Sequence, residues 1–260
     1  MKCSFPLAVA VIMMLAACSK GSDDKPEPTP PPVPAGENVK TGVYTINNMM
    51  ADTAANSAGS ATTIYFSLEQ NRIVPASQAQ TNNWDVAFTG IYNSSIAPNN
   101  GKAANSPGFG GPGKGAVYLV LDNTIEPKFF DAANNKPTSL PVAQSLFGAS
   151  FSNITSVAVK DEEMVTNDYI GLDHFMGTGN GYAFYDFSGA LFPGNPKKSH
   201  IVYTFPRTVI VKTAKGNFAK LQITSVYKDS PADPTRDNKT GYISFRYAIQ
   251  MNGSRDLNIK

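Results

Sequence analysis

The chain has 260 residues, with 22 Lys plus Arg against 20 Asp plus Glu and a formal net charge of +2. Its basic residues are scattered, which excludes the concentrated positive face that nucleic-acid binding needs. With 42% hydrophobic residues and only two cysteines, the chain must fold on its core and not on a disulfide framework.

The first element is an export signal over residues 1–17. Lys2 precedes the apolar run Leu7 to Leu15, which is too short to span a bilayer as a mature helix. Leu15-Ala16-Ala17-Cys18 then has the form of a lipobox, so Cys18 is the expected lipidation site and the protein is held to a membrane by its lipid anchor alone. Cys3 is discarded with the signal, which leaves no thiol for a disulfide, a metal site or a nucleophile. Residues 18–40 read as a tether: Ser22-Asp23-Asp24 is followed by Pro26, Pro28, Pro30, Pro31, Pro32 and Pro34, a composition that favours an extended spacer.

Residues 41–260 read as one all-β domain, antiparallel, with long loops and little helix. Strand patterns occur at Ala61–Leu68, Ile73-Val74, Trp84–Phe88 and Ala116–Leu121. Ile201–Phe205 and Thr208–Val211 flank Pro206, and a turn at Lys215-Gly216-Asn217 leads to an alternating run. In that run Phe218, Lys220, Gln222 and Thr224 share one face. The last strand places Ile243, Phe245, Tyr247 and Ile249 together. Thr138 to Phe151 is a candidate short helix. Ala97 to Gly115 and Gly177 to Gly181 are candidate functional loops. Trp84, in an alternating strand, is expected in the core.

Enzyme motifs are missing: there is no His-Glu-x-x-His helix, nucleophile elbow or phosphate-binding loop, and the chain is expected not to be an enzyme. The glycines of residues 108–115 do not open a helix after a strand. The acidic run Asp161-Glu162-Glu163 reads as a solvated edge before it reads as half of a glycosidase pair. The two histidines, His174 and His200, flank a stretch rich in Phe and Tyr. Two imidazoles alone do not complete a four-ligand zinc site, but they can fill both axial positions of a haem iron. Lys197, Lys198 and Arg207 are near enough in sequence to meet propionates.

Several blocks carry a family resemblance: Thr62 to Leu68, Asn83 to Phe88, Gly181 to Tyr185, His200-Ile201, Arg207 to Thr213, Gly216 to Ile223 and Tyr242 to Tyr247. Together with the lipobox and acidic tether, they resemble the HmuY family of Bacteroidetes haem-binding lipoproteins. Ser22-Asp23-Asp24 is similar to the surface-export signal of such lipoproteins. The resemblance implies haem b as a non-catalytic ligand, clamped by loops. It implies His174 and His200 as axial ligands, with Met176 and Met164 as alternatives because members of the family differ in ligation. Phe175, Tyr182, Tyr185 and Lys198 are the expected pocket and propionate contacts. It also implies an outer-membrane, surface-exposed location and transfer of haem to a TonB-dependent receptor. The other reading is a β-rich surface lipoprotein that binds carbohydrate or a protein partner without haem.

Overall fold

Alternating apolar residues dictate strands, and strands make up most of the regular secondary structure of the protein, a computed structural model that describes residues 37–52, 62–174 and 180–260. The signal, Cys18, most of the tether, Phe175, Met176 and Gly177 to Gly179 lie outside the described residues, as does the side chain of His174. In chain order the first elements are β1 (Gly42–Met50), β2 (Ile64–Ser67), β3 (Arg72–Val74), β4 (Val86–Thr89), β5 (Ser95–Pro98), β6 (Ala116–Val120), β7 (Phe130–Asp131) and β8 (Lys136–Pro137). Helix α1 (Gln144–Asn153) follows, then β9 (Asp173–His174), β10 (Ala183–Asp186), β11 (Ile201–Thr204), β12 (Thr208–Lys212), β13 (Phe218–Tyr227) and β14 (Thr240–Gln250).

A five-stranded antiparallel sheet in the order β1-β14-β13-β12-β6 forms the frame. A four-stranded sheet, β3-β2-β4-β5, packs against it through side chains at right angles, such as Phe66 against Phe245 with ring centroids 5.3 Å apart. The alternation read in β14 is obeyed: Ile243, Phe245, Tyr247 and Ile249 all lie in this core, each contributing about 1.5–3 kcal/mol by its burial. Trp84 is fully buried and donates its indole N–H to Ala79 O at 2.9 Å. A third sheet, β11-β10-β9, departs from the antiparallel expectation in one pair, since β9 runs parallel to β10.

The opposite face of the frame is covered as well. Lys220 and Gln222, whose place in the alternation gives them a face of their own, are 2% and 0% exposed because α1 lies over them. Lys220 Nζ donates to Phe151 O at 2.9 Å and to Ile154 O at 2.7 Å, supplying charge to carbonyls that the helix end leaves free. Arg246 Nη2 donates to Phe147 O at 2.6 Å, and Gln222 Nε2 to Ser150 Oγ at 2.7 Å. The candidate helix is therefore real but starts later, at Gln144, and is held by the sheet's polar face more than by its own propensity.

The glycine-rich stretch after β5 serves structure. It wraps around buried Asn99, whose Nδ2 donates to Thr81 O and Trp84 O at 2.8 Å each. A Cβ at Gly108 would meet Asn99 Oδ1 at 2.2 Å, and one at Gly113 would meet it at 2.3 Å, so the chain passes there only without side chains. No helix among the described residues is long and apolar enough to cross a membrane.

Candidate ligand-binding cleft

His200 immediately precedes β11 and has a left-handed backbone, φ 59°, which histidine tolerates better than most residues. Its N–H donates to Phe187 O at 3.2 Å, just beyond the end of β10. The exposed imidazole is fixed on two sides. Nδ1 lies 2.7 Å from the Tyr185 hydroxyl, and the ring meets Phe187 edge to face with centroids 4.6 Å apart. Among the described residues nothing bonds Nε2. On the other side of β10, the backbone of His174 stands in parallel register with Tyr185. Two neighbouring strands thus bring the positions of both histidines beside one tyrosine.

Tyr185 and His200 lie on the wall of a cleft of about 780 Å³, a size suited to a small ligand or cofactor. Ile91, Tyr92, Tyr169 and Leu172 add apolar and aromatic wall, and Arg236 adds a cation. Tyr92 is 41% exposed and Tyr169 55%, so the lining includes aromatic surface that no neighbour covers. Tyr92 sits at φ 51°, a backbone position costing a bulky residue about 1–3 kcal/mol. Its neighbour Asn93, fully buried, holds that turn: Oδ1 accepts from Asp52 N, and Nδ2 donates to Thr62 O and Phe88 O, all at 2.8 Å. Tyr169 is brought in by the bridge between Ile96 and Ile170.

Electrostatics link these groups. Burial pushes the Tyr185 phenol up, Arg236 draws it down and Tyr92 pushes it up again. Arg236 makes a long 3.4 Å contact from Nη1 to Ser199 Oγ and pairs with no carboxylate among the described residues. A planar, uncommitted guanidinium on an aromatic cleft is suited to a carboxylate-bearing ligand. No three His, Cys, Asp or Glu side chains gather to hold a metal among the described residues.

The other described residues singled out from sequence lie elsewhere. Met164 is 5% exposed and packed with Ile154, Val157, Ile210 and Leu257, away from the cleft wall. Tyr182 is buried and donates to Ser94 O at 2.8 Å. Lys198 is sequestered: its ammonium is bonded to Asp233 and to Pro234 O at 3.0 Å, and sits over Phe192. Lys197 pairs with Asp237 at 2.5 Å. Arg207 is buried against Glu126 and is unable to reach a ligand in the cleft. The acidic run, expected as a solvated edge, forms a short exposed 3-10 turn in which Asp161 is bound by Lys212 and Arg255, at 2.5 and 2.7 Å. Sequence reasoning missed Tyr92, Tyr169 and Arg236.

Over residues 60–247 the chain matches the family described as HmuY protein. Among solved structures it is similar to a protein of Bacteroides vulgatus assigned as HmuY-like and haem-binding, at 12% identity and a TM-score of 0.35, covering 82% of this chain and 97% of the other. Apo PinO of Porphyromonas gingivitis matches at 15% identity and a TM-score of 0.34, covering 81% and 98%. The apo HmuY analogue of Tannerella forsythia matches at 12% identity and 0.34, covering 84% and 99%. No curated protein matches significantly. The family match spans well over half of the sequence, and the chain belongs to the HmuY family.

Proposed function

We propose that the cleft binds haem and that the protein is a haem-capture lipoprotein without catalytic activity. The observation that carries this reading is His200, held on the wall of an aromatic cleft with Nδ1 engaged and Nε2 unpartnered among the described residues. Haem iron, when bound, offers axial positions that accept an imidazole nitrogen, and the porphyrin supplies the other four donors.

The chain's residues have separate tasks. His200 Nε2 is the first axial ligand. His174 is the second, in register with Tyr185 on β9, and Met176 is the alternative in the neighbouring sequence. Met164 takes no part, because withdrawing it would empty a packed cluster. Ile91, Tyr92, Tyr169 and Leu172 exclude water from the macrocycle, and Arg236 takes the role of propionate partner that sequence proximity had given to Lys198. Membership of the HmuY family supports the reading. Lipidation at Cys18 holds the domain at the outer membrane, facing outward, and haem passes from it to a TonB-dependent receptor.

Haemin titration of the tag-free chain starting at Ser19 tests this. The expected result is a low-spin, six-coordinate absorption spectrum at micromolar haemin that is lost in His200→Ala and weakened in His174→Ala. No spectral change in the native chain rejects haem and leaves the cleft to a carbohydrate or a protein partner.

A further inference from the structure

The hydroxyl of Tyr185 does more than line the cleft. Among the described residues, the contacts that hold His200 come from β10 or the residue following it. The phenol of Tyr185 takes Nδ1 at 2.7 Å, the Phe187 ring meets the imidazole edge-on at 4.6 Å, and Phe187 O anchors the His200 N–H. Tyr185 is itself fixed, because its strand is paired on both sides, with Val202 of β11 and with His174 of β9.

We infer that Tyr185 is a positioning residue for the proposed haem ligand, committing Nδ1 of His200 to the phenol so that only Nε2 can reach the iron. The inference rests on the haem reading and deepens it. An imidazole that donates its lone pair through Nε2 carries its proton on Nδ1, so in the loaded state Nδ1–H donates to the Tyr185 oxygen. The phenol's own proton then turns to the open cleft. Such a bond to the ring's far nitrogen fixes its orientation and raises its basicity, and a more basic ligand favours ferric over ferrous iron. Loss of an outer partner of this kind costs about 10–100-fold in metal affinity.

The test is Tyr185→Phe, which deletes one oxygen from a half-buried strand residue and keeps its ring. Three quantities are compared with the native chain: ferric haem affinity, the ratio of ferric to ferrous affinity, and the ¹⁵N shift of His200 Nδ1 in the ligand-free protein. The expected outcome is a loss of at least about 10-fold in ferric affinity, a smaller loss for ferrous haem and a displaced Nδ1 resonance. A merely structural role would lower both affinities equally. Unchanged affinities, ratio and resonance overturn the inference while haem binding stands. Failure of the native chain to bind haemin overturns the haem reading and this inference with it. If the Phe variant melts early, the His200 ring ¹⁵N shifts of the native, ligand-free chain are read instead, and an Nδ1 shift without a hydrogen bond overturns the inference.

Discussion

Glu126→Ala isolates what one buried charge needs. The Arg207 side chain is 1% exposed, and its guanidinium is bound in a fork by Glu126, with Nε to Oε1 at 2.9 Å and Nη2 to Oε2 at 2.7 Å. Its third nitrogen, Nη1, donates to Gly181 O at 2.6 Å, and Phe205 and Phe130 lie against it at 4.7 and 4.8 Å. Removing the carboxylate leaves a cation that neither water nor the remaining carbonyl and ring faces neutralise. Breaking a pair of this kind costs about 3–5 kcal/mol. At roughly 2–4 °C per kcal/mol for a domain of this size, the melting temperature falls by about 10 °C. Thermal unfolding by circular dichroism, with urea unfolding to give the free energy, measures it. The double variant Arg207→Met/Glu126→Leu should recover most of the loss, since the penalty comes from the orphaned charge. A loss below about 1 kcal/mol in Glu126→Ala, the value of an exposed pair, would refute this account of the Arg207–Glu126 pair.

Three other outcomes follow from the packing. Gly108→Ala drives a methyl to 2.2 Å from Asn99 Oδ1 and 3.1 Å from the Trp84 ring, and should cost about 1–3 kcal/mol in urea unfolding. Lys220→Met leaves Phe151 O and Ile154 O without their donor, so α1 should lose stability by about 1–3 kcal/mol, with earlier hydrogen exchange in that helix than in β14. Asp85 supplies a pH dependence. Burial first, then the neighbouring Glu69, raises its carboxyl from 3.8 to about 6, against backbone N–H bonds that lower it. The folded state therefore holds this proton more tightly than the unfolded state. Its stabilising contribution is complete below about pH 3.8 and is lost as pH rises through about 6. Between pH 4 and 7 the native chain should lose stability relative to Asp85→Asn, by as much as about 3 kcal/mol; parallel pH profiles for the two proteins would contradict it.

Much of the frame was legible because period-two alternation is a direct physical signal. Phe245 and Tyr247 are buried where the pattern placed them, and Trp84 is in the core. β1 was not, although its outer face alternates, because Asn48 interrupts it with a bulge between Ile46 and Met49. Lys220 shows a second limit: an alternating lysine looks like a solvent face until a helix end needs a cation. In the cleft, His200 stood out because histidines are scarce, and Tyr185 because it lies in an aromatic run. Tyr92 and Arg236 gave no such signal. Tyr92 depends on a left-handed turn pinned by Asn93, and Arg236 reaches the cleft from a loop between β13 and β14. For Lys198, proximity in sequence says nothing of Asp233, which binds its ammonium in this structure.

Haem placement in the cleft is the claim on which the functional account depends. Adding haemin stepwise to the ¹⁵N-labelled, ligand-free chain and following paramagnetic loss of backbone amide signals tests it most directly. The account predicts that the amides of Tyr92, Tyr169, Tyr185, His200 and Arg236 disappear first, while those of Met164 and its neighbours persist. Losses centred on another face, or none at stoichiometric haemin, would contradict it.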